Sequence, residues 1–215
     1  MGGMARTGRV LVGAAVAAAG GLVLRDAALH LGATQVERSV ALPGDGLLPD
    51  AHVQATRGIT IPVEPAAVWP WLVQIGWQRG GFYSYDALEN LVGLDIRSAD
   101  EVVPAWQHLA LGDHVHLAPE VALEVVVLEP AQALVIAATT PPGENGPAPY
   151  DCTWAFVLRS GPDVGTTRLV TRERYVSRGP GGRALIEAVS AVSTLMSERM
   201  LRGIRDRAAG QARDA

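Results

Sequence analysis

The stretch GPGGRALIEAVSAVSTLMSERMLRGIRDR, residues 179–207, decides how the rest of the chain can be arranged. Its apolar residues recur at the spacing of one face of an α-helix, and its arginines and glutamates lie off that face. A long C-terminal helix of this kind is expected to pack its apolar face against a sheet. The predicted stripe consists of Leu185, Val189, Val192, Met196, Met200 and Ile204.

The segments before this helix have the residue composition of β-strands. Five runs after Asp113 are rich in β-branched and apolar residues and are separated by Pro, Gly and acidic turns, and Thr56 to Val63 is a further strand-like run. Short connections between the five runs favour an antiparallel sheet. We therefore predict an α+β domain over residues 56–210, in which a curved antiparallel sheet wraps around the C-terminal helix, preceded by a linker over residues 34–55 that lies against it.

Two short helices are expected between the first strand and the others. The first segment opens at Pro65 and ends at Gly76, and Pro70 within it predicts that the helix starts there or kinks. The second runs from Ser84, a candidate N-cap, to Val92. The corner between them lies in IGWQRGGFYSYDALENLVG, residues 75–93. A tight turn explains the glycines of this corner, but it does not explain its four aromatic residues: Trp77, Phe82, Tyr83 and Tyr85.

Residues 1–33 have the pattern of a membrane-targeting segment. Val10 to Leu24 read VLVGAAVAAAGGLVL without a charge and follow Arg6 and Arg9. As a helix this run would be about 22 Å long, compared with about 30 Å for the hydrocarbon core of a bilayer. Three interpretations are open: an uncleaved anchor, a cleaved signal peptide, and a helix packed on the domain. We expect the anchor, with the domain extracytoplasmic, and secretion after cleavage is the alternative.

The composition narrows the choice of partners. The net charge is −4, all 18 basic residues are arginine, and no basic cluster is present, so we expect no binding of nucleic acid. The single cysteine, Cys152, excludes an intrachain disulfide, and its setting on a strand favours a small buried residue over a nucleophile. The sequence therefore gives no support for nucleic-acid binding, and its one cysteine does not fix the redox compartment.

Three stretches carry a resemblance to a known superfamily: TRGITI at 56–61, VWPWLVQIGWQRGGFYSYDALENLVGLDIRSAD at 68–100, and VVPAWQHLALGD at 102–113. With the order of elements, they resemble the START-like or SRPBCC superfamily, which includes polyketide cyclase/dehydrase-like proteins, and within it a bacterial group with an N-terminal hydrophobic segment. The resemblance implies a helix-grip fold whose cavity, between the sheet and the long helix, takes a hydrophobic or amphipathic small molecule. It implies no shared catalytic set, and we expect no metal and no cofactor.

The resemblance also suggests a ligand site. In helix-grip domains the cavity opens near the corner between the two short helices, so we expect that corner to form the cavity rim, with an arginine that ties it down or meets a polar ligand end. Aromatic side chains from later segments would line the interior. The predicted ligand-binding residues are Trp77, Arg79, Tyr83, Tyr85, Trp106, Trp154 and Glu173.

Glu173 has two possible orientations on the last strand. Pointing outward, it would pair with Arg172, Arg174 or a neighbouring strand, and this is the orientation we expect. Pointing inward, it would be a buried carboxylate and a candidate polar anchor or acid. The function divides in the same way, because a buried acid or base would favour a cyclase- or dehydratase-like enzyme over a non-enzymatic carrier. The candidates for that acid or base are Glu173, His114, Asp95 and Tyr83. A filled core with a structural role is the third possibility, and we expect the carrier.

Two further patterns resemble chemical sites without completing them. His114 and His116 alternate on a predicted strand and, with Glu120, spell His-x-His-x-x-x-Glu, a pattern found in one metal motif of the cupins. No histidine follows downstream and the expected glycines are absent, so two partly exposed strand residues are the better interpretation. Carboxylates of the connection after the second helix are expected to cap turns: Asp95, Asp100 and Glu101.

Overall fold

The structure, a computed structural model, describes residue 21 and residues 24–91, 93–140, 149–179 and 181–214. The strands are β1 (Val53–Ile61), β2 (His114–Ala118), β3 (Val121–Glu129), β4 (Ala133–Ala138), β5 (Tyr150–Ser160) and β6 (Thr167–Ser177). Residues 24–29 are helical, and the further helices are α1 (Gln35–Ser39), α2 (Pro65–Val73), α3 (Asp86–Leu91) and α4 (Gly182–Asp214).

The six strands form one antiparallel sheet in the order β1-β6-β5-β4-β3-β2. The first strand is therefore the neighbour of the last one, with Val53 opposite Tyr175 and Ile61 opposite Thr167. The long helix α4 packs on one face of the sheet, against β1 and β6. This arrangement confirms the predicted α+β class and the helix-grip fold.

Two apolar clusters fill most of the space between the sheet and the helices. The larger one joins α2, the strands and the C-terminal half of α4, and includes Trp71, Phe156, Leu169, Met200 and Ile204. The smaller one joins residues 24–29, the start of β1, the end of β6 and the first turns of α4: Leu29, Val53, Ala55, Tyr175 and Ile186. Polar residues of α4 lie between the two clusters.

The predicted apolar stripe of α4 is only half right. Met200 and Ile204, in the C-terminal half, are buried as expected, whereas Leu185 and Val192, in the first half, are 41% and 64% exposed. The reason is that the first half of the helix turns a different side toward the sheet from the one that the spacing of its apolar residues predicts. Polar residues occupy the inward side of the first half, where they meet polar groups of the sheet: Ser190, Ser193, Thr194 and Ser197.

The two short helices lie where the sequence places them. α2 begins at Pro65, a position at the helix start where proline is tolerated, and it continues through Pro70 in its interior, so the helix does not start at Pro70. α3 begins at Asp86, so the proposed N-cap role of Ser84 is wrong: the Ser84 hydroxyl instead donates to the Met196 carbonyl of α4 at 3.0 Å. Val92, the last residue of the predicted second helix, lies outside the described residues.

Residues 24–50 wrap around the edge of β1 and onto the outer face of the sheet. His30 Nδ1 and the Leu31 carbonyl accept hydrogen bonds from the backbone N–H groups of Thr56 and Gly58, so the free edge of β1 is covered. On the outer face, Arg172 donates to the backbone carbonyls of Glu37 and Val40 and pairs with Asp45, while Arg168 pairs with the Glu37 side chain. The first strand begins at Val53 instead of the predicted Thr56.

The predicted membrane segment, Val10 to Leu24, lies outside the described residues except for Gly21 and Leu24. Across the ranges that the structure describes, no helix is both long enough and apolar enough to cross a bilayer. The anchor, the signal peptide and the proposed domain boundaries therefore stay predictions.

Candidate functional site

Glu173 lies on the face of the sheet that meets α4. In the register of the sheet it stands between Ala55 of β1 and Trp154 of β5, and its side chain is buried. The outward orientation expected from sequence is therefore wrong. Residues directly opposite one another share a face of a sheet, so Glu173 has the same orientation as Trp154, whose ring packs on the interior.

Four donors hold the Glu173 carboxylate. Arg57 Nη1 and the Tyr175 hydroxyl donate from the sheet at 2.8 and 2.9 Å, and the hydroxyls of Ser193 and Ser197 donate from α4 at 2.6 and 2.9 Å. A buried ion pair is tolerated only when its remaining hydrogen-bonding groups also find partners, and the α4 hydroxyls provide them. The interior polar cluster, as we name this set, consists of Arg57, Glu173, Tyr175, Ser193, Thr194 and Ser197.

Burial also determines the protonation of two neighbouring groups. Burial and the nearby Glu173 carboxylate raise the pKa of Tyr175 well above its usual value, so its hydroxyl keeps the proton that it donates. Burial raises the pKa of Cys152 to about 12, so this residue is a neutral thiol at physiological pH. A nucleophilic role for Cys152 is therefore disfavoured, in agreement with the sequence interpretation.

Three buried polar atoms beside the cluster have no hydrogen-bond partner among the described residues: Arg57 Nε, Thr171 Oγ1 and Trp154 Nε1. Arg57 stands directly opposite Thr171, and Trp154 directly opposite Glu173, so the three side chains occupy neighbouring positions on one face. The half-buried Trp154 ring leans on Phe156, with ring centroids 4.8 Å apart. Because two of the three atoms are N–H donors, a molecule that satisfies them must offer a hydrogen-bond acceptor.

Tyr83, a predicted ligand residue, is a structural element of the corner. It is buried, with its hydroxyl donating to the Trp71 carbonyl at 3.0 Å and its ring in edge-to-face contact with the Trp71 ring. Its backbone has a φ of 55°, and its other ring face lies under the Arg207 guanidinium, 5.1 Å away. Burial raises its pKa well above the usual value. Tyr83 therefore holds the corner against α4 and leaves little surface for a ligand.

The other corner residues are also engaged or exposed. Trp77 donates from Nε1 to the Leu94 carbonyl at 2.6 Å, and Arg79 donates from Nη2 to the carbonyls of Val73 and Trp106 at 3.0 and 2.7 Å. Burial lowers the pKa of Arg79. The predicted role of Arg79 in tying down the corner agrees with these contacts. Tyr85 is 37% exposed on the surface, so it is not a core residue, and its place at a ligand stays a prediction.

An open groove of about 600 Å³ lies at this corner, outside the sheet–helix interior. Its lining includes Arg79 and Trp106 together with the acidic residues of the long connection, among them Asp95 and Asp100. Neither Trp154 nor Glu173 contributes to it. The structure thus divides the predicted site into an interior part and a corner part that do not share a cavity wall.

The other chemical patterns remain incomplete in the structure. Within the described ranges, no three His, Cys, Asp or Glu side chains come together as a metal site, and His114 and His116 are exposed. Asp100 pairs with Arg207 of α4 at 2.9 Å, which ties the connection to the long helix. Its role is structural, as expected for a carboxylate in a turn.

Sequence reasoning missed most of the interior polar cluster. The strand pattern gives Arg57 no special role, and the apolar stripe of α4 says nothing about the hydroxyl residues beside it. A signal was nevertheless present, because Ser190, Ser193, Thr194 and Ser197 have the i, i+3, i+4, i+7 spacing of one helix face. A polar row at that spacing, in a stretch of the helix with one charged residue between positions 184 and 197, indicates a polar surface across from it.

Comparisons with known proteins find solved structures that are similar to this chain at low sequence identity. No protein-family model matches the sequence, and no functionally curated protein is similar to it. The Polyketide_cyc-like protein Cgl2372 from Corynebacterium glutamicum is 15% identical, covers 71% of this chain and 88% of its own, and has a TM-score of 0.40. The hypothetical protein jhp0584 from Helicobacter pylori is 12% identical, covers 82% of this chain and 99% of its own, and has a TM-score of 0.47. Ara h 8.0201 is 14% identical, covers 74% of this chain and 98% of its own, and has a TM-score of 0.43. Likenesses of this size identify neither a ligand nor a reaction.

Proposed function

Because the chain has the helix-grip fold of the SRPBCC and polyketide cyclase-like superfamily, we propose that it binds a hydrophobic or amphipathic small molecule inside the domain. The ligand, of lipid-like or polyketide-like character, lies between the sheet and α4, beside the interior polar cluster. The predicted N-terminal segment holds the domain near a membrane, on its extracytoplasmic side.

The observation that carries this proposal is the set of unpaired polar atoms next to Trp154. Buried N–H and hydroxyl groups are nearly always paired, by protein, water or ligand. Here Trp154 Nε1 and Arg57 Nε are buried without a partner in the described part of the chain, between two apolar clusters. An apolar molecule with one carbonyl, carboxyl or hydroxyl oxygen matches both the apolar walls and the unpaired donors.

The same cluster weighs against the alternative, a cyclase- or dehydratase-like enzyme. A general acid or base needs a free position from which to exchange a proton with the substrate. Both Glu173 oxygens already accept hydrogen bonds, two on each oxygen. Tyr83, another candidate, donates its proton to a backbone carbonyl in the core. Glu173 and Tyr83 are thus occupied by structural contacts, which favours binding.

Ligand capture tests the proposal directly. The full chain, purified from its own host, is examined by native mass spectrometry for a retained small molecule and then titrated with fatty acids, phospholipids and aromatic polyketides. We expect one lipophilic ligand per chain. Trp154→Phe keeps the ring but removes the indole N–H, so it should weaken binding about tenfold, since an unmet buried hydrogen bond costs roughly 1–3 kcal/mol.

Trp106→Phe is the matched control, because it makes the same change in the corner groove. Its affinity should equal that of the unaltered protein. If Trp106→Phe weakens binding and Trp154→Phe does not, the ligand occupies the groove and the interior proposal is wrong. A protein that retains nothing and binds nothing in the panel supports the structural role instead.

The membrane part of the proposal has its own test. Arg6 and Arg9 before the apolar run Val10 to Leu24 favour an anchor with the domain outside the cytoplasm. Membranes washed with alkaline carbonate should retain the full chain, and protease added to the outer side should degrade its domain. Recovery of a shortened chain in the medium supports cleavage and secretion, and a wholly soluble full-length protein contradicts both.

A further inference from the structure

In much of the first half of α4, polar side chains face the sheet and large apolar side chains face outward, although Ile186 is buried in the core. Residues 184–196, ALIEAVSAVSTLM, contain one charged residue, Glu187. Ser190 and Ser197 are buried on the side that faces the sheet, where Ser193 donates to Glu173. The large apolar side chains on the other side are exposed: Leu185 by 41%, Val192 by 64% and Leu195 by 51%.

A surface helix normally shows the opposite arrangement, with apolar residues inward and charged residues outward. Leu185, Val192 and Leu195 are separated by seven and three positions, so they form a row along one side of the helix. Single exposed apolar residues are ordinary, but a row of large ones on an uncharged surface marks an interaction site. The one charge in the stretch is neutralised, because Arg25 donates to both oxygens of Glu187 at 2.9 and 2.7 Å.

Neighbouring segments extend the row at both ends. The Ser84 hydroxyl contacts the Met196 carbonyl, which brings the start of α3 against α4, and the residues that follow include the exposed Tyr85 and Leu88. Leu24, which is 73% exposed, immediately precedes the Arg25 that binds Glu187. The outer apolar face, as we define it, consists of Leu24, Tyr85, Leu88, Leu185, Val192 and Leu195.

We propose that the outer apolar face docks on the surface of a lipid bilayer. The course of the chain identifies this occupant. The charge-free run that begins at Val10 ends at Leu24, and the next residue, Arg25, is bound to Glu187 within two positions of Leu185. If the chain enters the membrane through this run, α4 lies at the membrane surface, where the side chains of the outer apolar face can contact the bilayer. The inference rests on the membrane part of the proposed function.

Docking in this orientation gives one helix segment two contacts. Its outer side rests on the acyl–headgroup boundary, with Tyr85 at the depth that amphipathic aromatic rings prefer. Its inner side carries Ser193 and Ser197, which close the interior polar cluster over Glu173. A lipophilic ligand that leaves the bilayer therefore meets the segment of the protein that also covers the interior site.

Site-directed fluorescence on the full chain tests the docking. Cys152 is the only cysteine, so Cys152→Ala gives a background into which single cysteines are introduced. Val192→Cys reports on the outer apolar face, and Leu111→Cys is the matched control, because both side chains are 64% exposed. Each variant is labelled with a polarity-sensitive dye and reconstituted into phosphatidylcholine–phosphatidylglycerol vesicles, at protein-to-lipid ratios that leave most vesicles with one copy.

The expected result is a blue shift and protection from aqueous iodide at position 192, with a water-like spectrum at position 111. If the protein sits in the vesicles and position 192 is quenched as readily as position 111, the docking proposal is wrong while the anchor stands. A blue shift that appears only at high protein density assigns the face to a second copy and also overturns it. Failure of the full chain to associate with vesicles overturns the docking and the membrane proposal together, and leaves the test of ligand binding unaffected.

Discussion

Arg57→Met should destabilise the protein by roughly 3–5 kcal/mol, the cost of removing one partner of a buried ion pair. The substitution keeps an apolar side chain of similar length and removes the guanidinium that donates to Glu173 and Thr194, each at 2.8 Å. The Glu173 carboxylate then stays buried with only hydroxyl donors, from Tyr175, Ser193 and Ser197. Those hydroxyls solvate the charge in part but do not neutralise it.

A loss of this size is large against the total stability of about 5–15 kcal/mol that single domains have. Urea denaturation followed by tryptophan fluorescence measures it. With a slope of about 2–3 kcal/mol per molar urea for a domain of this length, the midpoint should fall by about 1–2 M. The slope itself should stay constant, because the substitution changes an interior contact and leaves the surface exposed on unfolding unchanged.

Two further variants make the result specific to the ion pair. Arg205→Met removes an exposed arginine that pairs with Asp206, and it should cost less than about 1 kcal/mol. Arg57→Met combined with Glu173→Gln removes both charges and keeps an acceptor for the hydroxyls, so it should recover most of the loss. A single-variant cost below about 1 kcal/mol, or a double variant no more stable than Arg57→Met, would refute the reasoning.

Two other predictions concern α3 and the corner. Burial and the neighbouring Asp86 raise the pKa of Glu89 from 4.5 to about 7, so the folded state favours its neutral form. The contribution of Glu89 to stability is therefore greatest below pH 4.5 and declines by up to about 3 kcal/mol as the pH rises through 7. Glu89→Gln should raise the Tm at pH 8 and leave it unchanged at pH 4, and an equal effect at both pH values contradicts the assignment. A Cβ at Gly203 would lie 2.2 Å from the Tyr83 carbonyl oxygen, so Gly203→Ala should lower the Tm, whereas Gly210→Ala, with nothing within 4 Å, should not; equal effects would show that the corner does not rest on α4.

Local patterns predicted the elements of the fold because each element depends on its own residues. The spacing of apolar residues identified α4, and β-branched runs between turn residues identified the strands after Asp113. The position of β1 beside β6 was not predicted, because no local pattern in Thr56 to Val63 specifies a partner more than a hundred positions away. Long-range pairing is decided by the whole sheet.

The site was predicted less well, and for a related reason. Alternation along β6 assigns Glu173 and Arg172 to opposite faces, but it does not tell which face is the interior. That choice depends on Arg57 and on the serines of α4, which lie far away in sequence and become partners only in the folded chain. Tyr83 and Trp77 were expected at a ligand because they are aromatic, whereas their hydrogen bonds to backbone carbonyls show that they hold the corner.

The first half of α4 links the interior polar cluster to the outer apolar face. Its side with Ser193 and Ser197 and its side with Val192 and Leu195 cannot both be buried against the sheet. Turning Val192 and Leu195 inward would gain roughly 3–6 kcal/mol from apolar burial. It would also remove the Ser193 and Ser197 hydroxyls from Glu173, and two hydrogen bonds to a charged group are worth roughly the same, 3–6 kcal/mol. The two rotations are therefore close in energy, and the ion pair with Arg57 favours the one with serines inward. A bilayer that covers the outer apolar face removes the remaining disadvantage of this rotation, so membrane docking and an intact interior cluster should stabilise each other.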